Sequence, residues 1–90
     1  MNPNYEYAAI RQRMLSMLRY RFEGREMITQ VEAAQVYGYS DSYKAEKAVL
    51  CKLPAYRMNG RNKRYAITDI ASDLASRAEI PTAAGGRRRV

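Results

Sequence analysis

The sequence predicts a mainly helical α+β fold in which four helices surround one small core and a single β-hairpin interrupts them. Three observations predict it. Apolar residues recur at spacings of three and four in four separate stretches, the period of an amphipathic helix. Capping residues, glycines or prolines bound these stretches. One segment, 55–67, alternates polar and apolar residues instead, as a strand pair does. Ninety residues suffice for one core and leave no room for a second.

The first helix is expected over 4–24, with Tyr7, Ile10, Met14, Met17 and Leu18 as its apolar side and Met14 and Met17 as core filling. Gly24 is placed to end it, because glycine takes the left-handed conformation of a helix terminus without strain. Thr29-Gln30-Val31-Glu32 has the form of a capping box. A short helix follows through Val31, Ala33, Ala34 and Tyr37, and Gly38 stops it. Ser40, Asp41 and Ser42 offer three successive N-caps for the next helix, in which Ala45, Ala48, Val49 and Leu50 face the core up to about Lys52. Two short helices across a glycine-led turn have the outline of a helix-turn-helix.

Leu53-Pro54 closes that helix. Residues 55–58 and 63–67 then flank Asn59-Gly60-Arg61-Asn62 as a hairpin. A four-residue loop would set Tyr56 against Tyr65 and Arg57 against Arg64, whereas a two-residue Asn59-Gly60 loop would shift the pairing. Like charges directly opposite destabilise a sheet, so paired arginines on a hairpin without acids point to an anionic partner. Thr68 is expected to cap the last helix, with Ile70, Ala71, Leu74 and Ala78 turned inward and Ile80-Pro81 at its end. Residues 81–90 read as a disordered basic tail, in which Arg87, Arg88 and Arg89 form either a second DNA arm or a solubilising end.

Charge narrows the function. Sixteen Lys and Arg against nine Asp and Glu give a net charge of +7 and a pI of about 9.9, so polyanions are the natural partners. Basic and acidic residues balance over 28–52, whereas Arg57, Arg61, Lys63 and Arg64 stand together without an acid. With no histidine and a single cysteine, Cys51, the chain lacks the ligand set of a structural zinc site and cannot form an internal disulfide. Cys51 reads as a small packed hydrophobe. No general-base histidine or glycine-rich phosphate loop is present, and the carboxylates have local roles as caps or surface charges, so neither an enzyme nor a cofactor is expected. The absence of a long apolar stretch and of a leader pattern gives the expectation of a cytoplasmic, nucleoid-associated protein with no membrane partner.

Between Ile28 and about Leu74, the chain resembles the excisionase and MerR-type winged helix-turn-helix family of DNA-binding domains. The residues that carry the likeness are Val31-Glu32-Ala33-Ala34, Gly38-Tyr39-Ser40, Leu53-Pro54-Ala55-Tyr56-Arg57, Arg64-Tyr65 and Thr68-Asp69-Ile70. The likeness covers about half the chain and rests on their succession, since each motif alone is common. It implies a winged domain over 28–80 with a recognition helix from about Ser42 to Lys52 in the major groove and the hairpin beside it on phosphate or minor groove. The helix over 4–24 is then an addition, for which short excisionases have no counterpart; it is a candidate for covering the core or for homo-oligomerisation.

On this reading the partner is double-stranded DNA. Arg57, Arg61, Lys63 and Arg64 are the phosphate or minor-groove candidates, and Ser42, Tyr43, Lys44 and Lys47 reach the groove edges. The recognition helix has no Arg, Asn or Gln, the side chains suited to bidentate base contacts, so discrimination per monomer is weak and is gained by cooperative binding or DNA shape. The expected function is that of an excisionase, which biases an integrase partner toward excision, or of a related transcriptional regulator. Two alternatives stand beside it. One is a protein-binding adapter that uses the Met-rich N-terminal helix, and the other is the DNA-recognition part of a phage packaging subunit.

Overall fold

The first helix, α1 (Pro3–Arg21), runs until the chain is turned by two consecutive left-handed residues, Glu23 at φ 55° and Gly24 at φ 83°. At Gly24 the angle costs no steric strain, because glycine has no Cβ. The Gly24 N–H donates to the Arg19 carbonyl at 2.8 Å and so satisfies one of the orphan acceptors at the helix end. The computed structural model describes residues 3–60 and 62–79. The expected basic tail over 81–90, the Ile80-Pro81 stop and Arg61 therefore lie outside the described residues.

After the turn comes a short strand, β1 (Met27–Thr29), which the residue pattern does not predict. Helix α2 (Gln30–Val36) starts directly from it through the expected capping box. Thr29 Oγ1 accepts from the Glu32 N–H at 3.1 Å, while the Glu32 carboxylate accepts from the Thr29 N–H at 2.9 Å. A turn through Gly38, at φ 84°, leads to α3 (Ser42–Ala48). Of the three candidate caps, Asp41 is the one used: its Oδ1 accepts from the Tyr43 and Lys44 amides at 2.9 and 3.3 Å. The α-helix stops at Ala48, and a 3-10 turn over Leu50–Lys52 replaces the longer helix expected up to Lys52. Strands β2 (Tyr56–Asn59) and β3 (Asn62–Ala66) follow, and α4 (Ile67–Arg77) completes the described chain.

Among the described residues this is a mostly helical α+β structure, with four α-helices and one antiparallel three-stranded sheet in the order β1-β3-β2. The central strand β3 sets Tyr65 beside Ile28, and both are completely buried. Around them pack Leu15, Leu18 and Phe22 of the first segment, Ala33 and Ala34 of α2, Ala45, Val49 and Leu50, and Ile67, Ile70 and Ala71 of α4. The N-terminal helix thus shares the core of the rest of the chain. It is tied to α4 by Arg11 Nε donating to Ser72 Oγ at 2.7 Å and by the Tyr7 hydroxyl donating to the Ser72 carbonyl at 3.3 Å.

Several expected core positions move. In α1 the buried side is Leu15, Leu18 and Phe22 with Met14 against it, whereas Met17 is 57 % exposed. Five apolar residues at helical spacing fit more than one stripe, and the stripe chosen is the one that Phe22 extends. Val31 of α2 and Ala48, the last residue of α3, are exposed, and so is Ala78, which lies just beyond the end of α4. Cys51 is also exposed, with its thiol 3.3 Å from the Lys47 carbonyl. Thr68 does not cap α4: the cap position is Ala66, two residues earlier, and the helix begins at Ile67, whose amide donates to the Glu26 carbonyl at 2.9 Å.

The capping box yields a stability prediction. Arg25 pairs with the same carboxylate, and its guanidinium, together with the Thr29 amide, holds the Glu32 carboxyl below the usual glutamate range. Thr29→Ala should cost about 1 kcal/mol in urea unfolding at neutral pH. A group with a lowered folded-state pKa stabilises above its ordinary pKa and loses that contribution as pH falls through the lowered value. The gap between Thr29→Ala and the parent should therefore narrow in acid; an unchanged gap would mean that the box does not depend on the ionised Glu32.

Candidate nucleic-acid interface

Alternation along β3 decides where its charges go. Tyr65 is turned into the core, so Lys63, two residues earlier, lies on the same face, and Arg64 lies on the other. The hairpin pairs Tyr56 with Arg64, Arg57 with Lys63 and Asn59 with Asn62, with an irregularity between Arg57 and Asn59. This is neither of the registers expected from the sequence: Asn59 and Asn62 pair with each other, Tyr56 does not oppose Tyr65, and Arg57 opposes Lys63 instead of Arg64. One extra residue on β2 is what a bulge inserts, and it displaces the partners by one place.

The like-charged pair Arg57–Lys63 is balanced from outside the hairpin. Lys63 Nζ reaches Glu46 of α3 at 2.7 Å, and both side chains are about one-quarter exposed. This hydrogen-bonded ion pair holds the Glu46 carboxyl below its usual range, with further help from the charges of Lys47 and Arg57. In return it raises the Lys63 ammonium, against the opposing charge of Arg57. Glu46 therefore overturns the expectation of a hairpin without a balancing acid. That role was missed in the sequence, yet a signal exists: three and four residues to either side stand Tyr43, Val49, Ser42 and Leu50, so no helical neighbour can pair with it.

Helix α3 presents its other candidates to solvent. Tyr43 is 63 % exposed, and Lys44 and Lys47 are exposed beside it. Lys47 Nζ sits 4.8 Å from the centre of the Tyr43 ring, a cation–π contact that aligns the two side chains along one side of the helix. Ser42 is half-buried at the helix start, where its carbonyl accepts from Gln30 Nε2 at 3.2 Å. This bond ties α3 to the start of α2 through the Ser42 backbone. Arg64, on the outer face of β3, lies between Thr29 and Tyr56 of the flanking strands. With Thr29, Gln30, Val31, Asn62 and Lys63 it lines a shallow cleft of about 460 Å³.

The structure thus brings together Tyr43, Lys47, Glu46, Lys63 and Arg57 where α3 meets the hairpin, and it leaves Arg64 on the other sheet face. Of the three tyrosines near the turn, Tyr37 and Tyr39 pack against the core and Tyr43 is outside. The Tyr37 hydroxyl donates to Asp73 at 2.7 Å, and burial with that carboxylate drives its pKa upward. It fastens α2 to α4 and is not available to a ligand.

Most described acids already have partners. Glu26, Glu32, Glu46 and Asp73 are in ion pairs, Asp41 caps α3 and Asp69 accepts from the Tyr56 hydroxyl at 3.3 Å. Lys44, Lys47 and Arg64 form no ion pair with any described acid. No group of three or more His, Cys, Asp or Glu that could hold a metal occurs among the described residues, and none of the described helices is long and apolar enough to cross a membrane. No family model matches the chain, nor does any curated protein or solved structure.

Carbon-detected NMR titration checks the tether between α3 and the hairpin. The Glu46 carboxyl should titrate below an ordinary glutamate, and Lys63→Met should move its midpoint back up. An unchanged midpoint in that variant would remove Lys63 as the cause.

Proposed function

We propose that this chain is a small DNA-binding domain of winged helix-turn-helix architecture, with α3 as the recognition helix and the β2–β3 hairpin as the wing. The observation that carries the reading is the uneven use of charge. Most of the described acids are taken up by caps and internal pairs, while Lys44 and Lys47 on α3 and Arg64 on β3 form no ion pair with a described acid. A polyanion supplies what they lack. Seven residues of α3 span roughly 10 Å, short enough to lie in a major groove with the side that carries Tyr43, Lys44 and Lys47 toward the base edges.

Affinity on this reading comes mainly from phosphate neutralisation and falls steeply with salt. Base selectivity per domain is modest, because Lys47 is partly committed to the Tyr43 ring and α3 offers no bidentate reader. The domain then works by coating or bending DNA at clustered sites, as an excisionase-like partner of an integrase or as a transcriptional regulator. Lys63 enters as a reserve: it meets phosphate only by giving up Glu46.

Fluorescence anisotropy with a mixed-sequence duplex at two salt concentrations tests the reading. Binding at micromolar or tighter concentration is expected, and Lys44→Ala, Lys47→Ala and Arg64→Ala should each flatten the log–log salt slope by about 0.9 if each cation neutralises one phosphate. Absence of binding at low salt, or variants that leave the slope unchanged, would sink it. Glu46→Gln frees Lys63 and should strengthen binding several-fold with a steeper slope.

A further inference from the structure

Helix α1 has more apolar surface than its core contacts use. Leu15, Leu18 and Phe22 are buried, yet Met17 and Tyr20 stand 57 % and 89 % exposed on the adjoining side. There α1 forms one wall of a groove of about 580 Å³, floored by Met14, Met17 and Leu18 and closed by Val36 of α2 and Leu74 of α4. Tyr20 and Arg21 form its lip, and Ser16 adds a small hydroxyl to the lining. Its lining comes from α1, α2 and α4, so it is separate from the basic surface of α3 and the hairpin described above.

Charge selects the occupant. Arg21 lies one turn beyond Met17, and Arg13 lies one turn before it, exposed on the same helix row. Neither forms an ion pair with a described acid; the Arg21 guanidinium only overlies the Phe22 ring at 5.4 Å. Asp73, the acid beside Leu74, is already held by Tyr37 at 2.7 Å and Arg77 at 2.8 Å. A second copy laid α1 against α1 with Met17 over Met17 would oppose arginine to arginine in either direction: antiparallel sets Arg13 against Arg21, and parallel sets each against itself. Nucleic acid would satisfy the arginines and leave the apolar floor unused.

We propose that this groove receives an acidic amphipathic helix of another protein, whose apolar side fills the floor over Met17 while its carboxylates meet Arg13 and Arg21. Such a helix-in-groove contact uses anchors three and four residues apart. It gives a DNA-bound domain a second face with which to hold a partner, and it stands whether or not the chain binds DNA.

The test uses the full chain and a fluorescein-labelled 16-residue helical peptide with leucines on one side and glutamates flanking them, beside a twin with lysines in place of the glutamates. The acidic peptide should bind at least about tenfold more tightly than its twin. Met17→Ser with Tyr20→Ser, at exposed positions that leave the melting temperature unchanged, should weaken it about tenfold or more without altering duplex-DNA affinity. Arg13→Glu with Arg21→Glu should invert the preference between the twins. Equal binding of both peptides, or of neither, overturns the proposal. So does sedimentation of the chain as a dimer that the Met17/Tyr20 variant splits, which would seat a second copy there. Nuclear Overhauser contacts from the Met17 methyl to residues 81–90 would likewise overturn it, by seating the chain's own C-terminal segment.

Discussion

The register of β3 governs the placement of nearly every charge that matters. Strand residues alternate between faces, so burying Tyr65 beside Ile28 leaves no freedom for its neighbours. Lys63 must turn toward α3, Arg64 must turn away, and Ile67 must enter the core as α4 begins. A slip of one residue would bury Arg64 and expose Tyr65, leaving an unpaired charge inside and an aromatic outside. The hairpin and the recognition-helix candidate are therefore positioned by the same hydrophobic contact that holds the sheet together.

Onto this frame the chain lays its charges unequally. Although the net charge is +7, the acids are not spread as a neutral background. Glu32 starts α2, Asp41 starts α3, Glu46 tethers the hairpin, and Asp73 joins α2 to α4 through Tyr37 while pairing with Arg77. Exposed pairs such as Arg19–Glu26 contribute little to stability. Glu46 matters differently, because it lies between cations of α3 and of both hairpin strands and offsets their mutual repulsion.

What was legible in the sequence was local. The capping box at Thr29 and the left-handed glycines at 24 and 38 depend on residues within a turn of one another, and the structure forms them as read, whereas of the run expected to face inward on α4 only Ile70 and Ala71 are fully buried. What was hidden depends on distant partners. Three residues of β1 become a strand only because β3 lies beside them. The bulge in β2 moves Arg57 from Arg64 to Lys63, and no residue type in the loop announces it. Met17 has the spacing of a core residue, but Phe22, at the far end of the helix, draws the buried stripe away from it. Of the candidate site, Tyr43, Lys44 and Lys47 were readable as one exposed side, whereas the counter-charge on Lys63 was not, because seventeen residues of chain separate it from Glu46.

The contact between α2 and α3 rests on alanines: Ala33, Ala34 and Ala45 are each fully or almost fully buried. Side chains this small let the two backbones approach closely, and any larger residue would force them apart. Positions 43, 44, 47 and 48 on the outer side of α3 meet no such limit. The two sides of one seven-residue helix are thus free to drift at different rates. Descendants of this chain can change what α3 touches through a handful of exposed substitutions, while the angle at which they present it stays fixed by three methyl groups.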